Sequence, residues 1–598
     1  MKERQNVRIS QSSIQNVIVP IVLFLCSFYD VNKGVDIKDA GYSMNYFLHF
    51  DNYPGNRMIS RFWSNVVGHL FSLLPGGDTW LGLSLYATSI IGLTVVIAYF
   101  VCKRVMDWRM AAVSEIFAIF FCWNPNVILY DYMSFLLFTL GGSLLLIALE
   151  KEEKKRYYVW AGVVLGMNVF VRLPNLAEMA AIVLLWYTAF VKKWTWKQAV
   201  QRTLLCVTGY AIACVVSIAS ILKLYGFYEL KLCVYNLFNL SQSQDNYGLV
   251  YMVTETFRIV VGYAGYLVPL ILLALLLGVL LKKDERRGIV YKVIFFGLTC
   301  GYFWLAAKQF KLFNWNFQTH ESVLGLACLF LLWGLVCSVL TLIVSKSHNA
   351  RIYALVFIGV FFVMPLGSNN TIYLEIMNMF LLIPITVFLT ANLLNEWKER
   401  IPSLTGLAIN NAVRVICYAS AAVMMVQTIG YGMNYTFNDS IEVKAENYSY
   451  AGMYSSEERI ALLDEMYAFC EQEELLGKEA IFYCNAPGLS FILDMPSALE
   501  SSWADWYTFS IVRFAITMEE LEWDIDNGQE HPVVILSTPY DRYYRGEDVD
   551  WAKYPESMID DKAWTLNKFL RDNQYERIYV NEEFAIYTVS DIAVSDRG

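Results

Sequence analysis

Charge is scarce in this chain: only 17% of its 598 residues are Asp, Glu, Lys or Arg, whereas 57% are hydrophobic, and the mean hydropathy is +0.41. A water-soluble globular domain cannot bury that much apolar surface, so that class is excluded. Histidine is scarcer still, at 5 residues, and no CxxC or Cys/His cluster has metal-ligand spacing, so no metal site is assigned. Most of the 12 cysteines, among them Cys26, Cys102, Cys206, Cys300 and Cys337, fall inside apolar runs, where a thiol behaves as a small hydrophobe. Cys470 and Cys484 lie beyond those runs and read better as two free thiols than as a disulfide. Gly-x-Gly-x-x-Gly, Walker and Gly-x-Ser-x-Gly sequences are missing, which leaves neither a nucleotide site nor a serine nucleophile to claim. A basic patch is missing too. The net charge is -9, with the acidic excess mainly beyond residue 435, so nucleic acid is not an expected partner. The first apolar run lacks a small-residue cleavage site behind it and is expected to be retained.

What the chain has instead is a ladder of about thirteen apolar spans, predicted at 14–29, 79–102, 110–123, 132–149, 157–171, 176–191, 203–222, 259–281, 289–306, 322–344, 352–366, 372–394 and 412–432. Basic residues recur in every second connection: Lys103, Arg104 and Arg109; Lys154 to Arg156; Lys192, Lys193 and Lys197; Lys282 to Arg287; Lys346 and Arg351; Lys398, Arg400 and Arg414. The positive-inside rule places those connections and the N-terminus in the cytoplasm, and an odd number of spans leaves the C-terminal region outside. The expected architecture is a polytopic α-helical protein of the cell (plasma or inner) membrane, with a transmembrane domain over 1–432 and an extracytoplasmic soluble α/β domain over 433–598.

Two outer connections are long. The first, 30–78, reads as two surface helices, one around Tyr42, Tyr46, Phe47 and Phe50 and one around Trp63, Val66, Leu70 and Phe71, separated by Tyr53-Pro54-Gly55. The other, 223–258, is rich in Tyr, Asn, Ser and Gln and reads as a polar loop over a cavity or a plain connector. Beyond residue 435 the pattern alternates. A helix is predicted over 455–477, opened by Ser455 and Glu458 in capping-box spacing, with further helices at 509–520 and 561–572 and strands at 480–484, 532–537, 576–580 and 584–589.

The residues suited to chemistry lie in the first outer loop, Gly34-Val35-Asp36-Ile37-Lys38-Asp39-Ala40-Gly41-Tyr42-Ser43. An Asp followed closely by Gly and Tyr, just outside the first span, resembles the catalytic loop of GT-C glycosyltransferases, membrane enzymes that take sugars from polyprenyl phosphate, as protein mannosyltransferases and the aminoarabinose transferase of lipid A do. Tyr130-Asp131-Tyr132-Met133-Ser134 followed by Gly162, Gly166, Arg172 and Pro174 is similar to a second family stretch, a Gly-rich helix ending in a basic residue, commonly Lys; Arg172 stands there in this chain. Pro365-Leu366-Gly367-Ser368-Asn369-Asn370 resembles an outer loop of some bacterial members, and Tyr483-Cys484-Asn485-Ala486-Pro487-Gly488 a segment of their appended C-terminal domains. The Asp-Glu pair of the mannosyltransferases is absent, because Ala40 follows Asp39. The resemblance implies a GT-C-like fold and inverting transfer of a monosaccharide from a polyprenyl-phosphate-linked donor to a cell-envelope acceptor, whether glycan, lipid or protein, at the outer face of the bilayer.

An acceptor hydroxyl that attacks a sugar C1 must lose its proton, and a positioned carboxylate can take it. Asp39 is the expected base, with Asp36 tuning it as a like charge. Asp39 is equally suited to cap the surface helix expected to start near Tyr42, and both roles stand open. The departing phosphate calls for a cation. Arg172 comes first, followed by Lys308, Lys311, Arg57 and Arg61; a snorkelling helix-end anchor is the competing reading for Arg172 and the better one for the two lysines. Tyr42, Asp131, Tyr132, Glu178, His320, Glu321, Asn369, Asn370 and Glu375 are the groups expected to line the cavity. Trp304, Trp315 and Tyr373 serve either as interfacial aromatics or as sugar-stacking faces. The sequence assigns no particular cofactor, and a divalent cation is compatible with the chemistry.

A transporter or flippase for a lipid-linked glycan is the rival reading, but it would carry polar groups at mid-depth and related halves, and this chain has little charge within its spans and no clear internal repeat. An O-antigen-type polymerase or ligase shares the chemistry. A non-catalytic scaffold has no need of so elaborate a first loop.

Overall fold

A computed structural model describes residues 10–122, 129–150, 154–239, 249–284, 286–366, 372–434, 441–554 and 561–589. Among them, eight helical stretches are long and apolar enough to cross a membrane: Trp80–Cys102, Leu129–Glu150, Leu173–Val191, Trp196–Leu224, Val250–Lys283, Gly288–Phe310, Glu321–Val344 and Leu404–Asn434. Their outer faces carry uncovered apolar side chains, with Phe190 83%, Ile343 69% and Val215 65% exposed. Hydrocarbon accommodates such a surface and water does not. The chain is a polytopic α-helical membrane protein with an α/β region after its last span.

Several of the expected spans form shorter helices. Trp108–Phe121 and Arg156–Val169 have 14 residues each, about 21 Å of helix against about 30 Å of hydrocarbon. Arg156–Val169 packs against Trp196–Leu224 through glycine, since a Cβ on Gly162 would meet the Cys206 carbonyl and one on Gly209 the Val159 carbonyl. Small residues let the two backbones approach where larger ones would hold them apart. The connection expected as a polar loop at 223–258 is helical on both sides, as Gly226–Asn239 and Leu249–Gly262. Gly226, at φ +81°, turns the chain out of the preceding helix, a conformation a residue with a Cβ resists.

The first loop folds into Asp39–Leu48, a short turn Gly55–Met58 after Pro54, and Phe62–Ser72. Its first helix therefore starts at Asp39, ahead of the expected position near Tyr42. In the C-terminal region Ser456, one residue after the expected cap, accepts from the Arg459 N–H and opens Glu457–Gln472. The strand Ala480–Tyr483 pairs in parallel with Val533–Ser537, which pairs antiparallel with Phe584–Val589, which in turn forms a hairpin with Tyr575–Val580. Cys470 and Cys484 are buried free thiols.

The first loop is joined to this α/β region by backbone. The Gly34 N–H donates to the Tyr454 carbonyl at 2.7 Å, the Tyr454 N–H to the Asn32 carbonyl at 2.8 Å, and the Gly488 N–H to the Ile37 carbonyl at 2.7 Å. The Ser490 hydroxyl bonds Asn45 Oδ1 at 2.6 Å. Gly41 and Gly488 cross face to face: a Cβ on Gly488 would lie 2.8 Å from Ile37 Cα and 3.0 Å from Gly41 Cα. Leu23 and Phe357 of the helical part share one continuous core with Phe482 and Ile586 of the sheet.

Gly41→Ala is expected to force these two backbones apart and to destabilise the protein by about 1–3 kcal/mol. Thermal unfolding in detergent, together with faster proteolytic release of the C-terminal region, checks this. An unchanged melting temperature would show that the crossing is slack.

Candidate functional site

Asp36 and Asp39 have separate tasks. Asp36 Oδ1 accepts from the Lys38 N–H at 3.0 Å and Oδ2 from the Ala40 N–H at 2.9 Å, satisfying amides that the start of a helix leaves without partners. Burial pushes its carboxyl above the usual range, while those two N–H groups act in the other direction. With the helix start served by Asp36, no hydrogen bond among the described residues engages the Asp39 carboxylate. Asp39 is solvent-exposed, yet crowding by protein pushes its carboxyl up to about 6, helped by the like charges of Asp36 and Asp131 and opposed by Arg61 and Lys38. Access to water combined with strong desolvation describes a group at the floor of a recess.

Arg61 is near enough for its charge to act on this carboxylate. Its guanidinium lies 4.6 Å from the Tyr130 ring centre and 5.5 Å from that of Tyr42, an arrangement in which two aromatic faces hold a cation in place. The Tyr42 hydroxyl is 2.9 Å from that of Tyr46. The segment is fixed from behind by Trp63, whose N–H donates to the Phe170 carbonyl at 3.0 Å and whose indole N–H donates to Ser217 Oγ at 2.9 Å.

Asp131 and Arg172 form a buried pair, Nη1 to Oδ1 3.4 Å, with side chains 7% and 10% exposed. Around it the Asn168 amide donates to Glu178 Oε1 at 2.7 Å and the Ser134 carbonyl at 3.2 Å, and the Asn175 amide donates to Ser134 Oγ at 2.7 Å. Arg172 thus has a carboxylate partner, and Glu178 belongs to this buried network. Tyr132 is fully buried in the core.

The other expected residues are placed elsewhere. Arg57 pairs with Glu500 at 3.4 Å and lies over the Phe509 ring at 4.6 Å. Lys308 is exposed beside the Trp304 ring, and Lys311 is exposed at the end of its helix. His320 stands edge-on to Tyr373 at 4.8 Å, and Glu321 accepts from the Asn314 amide at 3.4 Å. Glu375 is buried with neither carboxylate oxygen bonded among the described residues. Asn369 and Asn370 lie outside the described residues. No group of three or more His, Cys, Asp or Glu suited to a metal ion occurs among those described.

One part of the site was not anticipated. Residues 497–510 of the α/β region reach over the first loop. The Trp503 ring stands 5.6 Å from Tyr42 and its indole N–H donates to Asn485 Oδ1 at 3.0 Å. Trp506 stacks on Trp503 at 4.6 Å, and Tyr507 follows at 4.7 Å. Lys562, only 2% exposed, donates to the carbonyls of Ala504, Trp506 and Phe509 at 3.2, 3.0 and 3.3 Å. The sequence cue was the density of aromatics at 503–509 within an acidic region, which has no helical or strand period to place it.

No family model matches the chain, and no curated protein matches it. Among solved structures, it is similar to the oligosaccharyltransferase of Archaeoglobus fulgidus in complex with Zn and sulfate, at 12% identity and a TM-score of 0.44, over 96% of this chain and 73% of that one. It is similar to the same organism's oligosaccharyltransferase AglB with an inhibitory peptide and a dolichol-phosphate, at 11% identity and a TM-score of 0.46, over 98% and 75%. ArnT from Cupriavidus metallidurans in the apo state is similar at 13% identity and a TM-score of 0.41, over 98% and 99%. Likenesses this distant assign no activity, which has to be argued from the site itself.

Arg172→Met leaves Asp131 buried without a cation and is expected to cost about 3–5 kcal/mol. The double variant Arg172→Met/Asp131→Asn is expected to recover most of that. Thermal unfolding of wild type, single and double variants checks it, and equal melting temperatures for the two variants would refute the pairing.

Proposed function

We propose that the chain is a GT-C-type membrane glycosyltransferase that moves a monosaccharide from a polyprenyl-phosphate donor to a cell-envelope acceptor at the outer membrane face, with inversion. The supporting observation is the Asp39 carboxylate: relieved of helix capping by Asp36, open to water, and acted on by the charge of Arg61.

In this reading the acceptor hydroxyl attacks the sugar C1 from the side opposite the phosphate. The new C1–O bond forms as the C1–O(phosphate) bond breaks, the electron pair leaves with the phosphate, and the hydroxyl proton passes to Asp39. Negative charge grows on the departing phosphate. Arg61, clamped between Tyr42 and Tyr130, is the cation proposed to meet it. Arg172 serves instead by holding Asp131 and the network behind it. The last turn of the donor's lipid would lie among the apolar helix faces of the bilayer.

Asp39→Asn is expected to lower transfer from a radiolabelled polyprenyl-phosphate sugar by at least about 10²-fold, the lower range for a lost general base, with the protein still folded in membranes. Turnover near wild type would remove Asp39 from the mechanism.

The acid limb of kcat/KM follows from the raised carboxyl. The base must be ionised, so activity falls as pH drops through about 6, where a solvated aspartate would hold activity down to about 4. Arg61→Ala removes a charge that favours ionisation, so the limb is expected to move to higher pH. A limb that stays near 4 in wild type would contradict the assignment.

A further inference from the structure

Ring contacts run outward from the catalytic side of the first loop: Tyr42 to Trp503, Trp503 to Trp506, Trp506 to Tyr507. The inner end is fixed, with Trp503 5% exposed, and the outer end is open, with Tyr507 36% exposed. Such a stack offers flat, electron-rich faces and ring edges to a ligand. We propose that residues 497–510 form an acceptor arm, binding a pyranose ring of a glycan acceptor at the Tyr507 end, and that Lys562 is its positioning residue. This rests on the transferase reading above.

A sugar suits these faces because a pyranose presents a sheet of C–H groups on one side and hydroxyls around its rim. Strand addition, one way of holding an extended peptide, is not offered here, because residues 498–510 contain no strand. The arm also leads back to Tyr42, which borders Arg61, so a glycan lying along it would bring its terminal hydroxyl toward Asp39.

Lys562 fixes the backbone that carries the outer rings. A buried ammonium is costly unless its donors are met, and here the carbonyls of Ala504, Trp506 and Phe509 turn inward to meet it. Holding the Trp506 carbonyl fixes the backbone from which the Trp506 and Tyr507 rings extend. The Glu500 contact with Arg57 and the Arg57 guanidinium over Phe509 tie the arm to the first loop.

The test uses the full chain in nanodiscs with maltotetraose, chitotetraose and mannotetraose as soluble probes. Binding is read by tryptophan fluorescence, and transfer by a radiolabelled polyprenyl-phosphate sugar with the best-bound probe as acceptor. At least one probe is expected to bind. Tyr507→Ala is expected to weaken it by about tenfold, the upper range for a lost aromatic contact, and to raise the acceptor KM more than it lowers kcat. Lys562→Met is expected to do the same, with Lys562→Arg restoring part of the loss while melting temperature tracks neither. Failure of every probe to bind, binding indifferent to Tyr507→Ala, or competition by peptides in place of sugars would each overturn the arm. Asp39→Asn with probe binding intact and transfer undiminished would instead sink the transferase reading and leave the sugar arm standing.

Discussion

Asp36 accepts two backbone N–H groups at the start of the helix Asp39–Leu48, and the rest of the site depends on that small exchange. A helix start leaves amides without partners, and the nearest carboxylate in the sequence usually takes them. Here two carboxylates three residues apart compete for that task. Because the Lys38 and Ala40 amides turn back to Asp36, Asp39 is left at the first helical position with its side chain outside the hydrogen-bond network. A desolvated carboxylate that makes no hydrogen bond is poorly stabilised as an anion, which is why its proton affinity is raised toward the working range of a base.

The helix itself is held by a structure that spans most of the chain. Gly41 crosses Gly488 closely enough that neither tolerates a Cβ without movement, and Ile37, Asn45 and Gly34 all bond to the C-terminal region. The first loop is thus clamped between membrane helices on one side and an α/β sheet on the other. That rigidity matters for chemistry, since a base displaced by about an ångström loses much of its effect. It also accounts for a core that runs without interruption from Leu23 to Ile586.

Much of the architecture was legible in the sequence because its cause is local. Long apolar runs marked Trp80–Cys102 and Glu321–Val344, and short apolar runs marked the strands at Val533–Ser537 and Phe584–Val589. The helices within 223–258 were hidden because their polar side chains suggested a loop, and polarity says less about backbone than periodicity does. Asp39 and Arg61 were both named, but which of five cations acts on Asp39 depends on tertiary structure. Arg172 looked the better choice by position; its pairing with Asp131, 41 residues away in the chain, carries no local signal. The same holds for Lys562, whose three carbonyl partners lie more than fifty residues upstream. Gly162, noted in a family-like motif, has a packing reason in this fold: it lies against the Cys206 carbonyl.

The division of labour between the two arginines follows from the same electrostatics. A guanidinium already paired with a buried carboxylate, as Arg172 is, has little net charge to offer an incoming phosphate, and drawing it away would leave Asp131 desolvated and alone. Arg61 is held by ring faces, which favour a cation but neutralise none of its charge. It therefore keeps its full charge while its position is fixed, which is what stabilising a leaving phosphate requires. Arg61 also lowers the proton affinity of Asp39, so one cation would favour both the ionised base before attack and the phosphate charge that grows during it. Asp131 acts on Asp39 in the opposite sense, raising its proton affinity, so a carboxylate of the buried pair would influence the proposed base without touching a substrate.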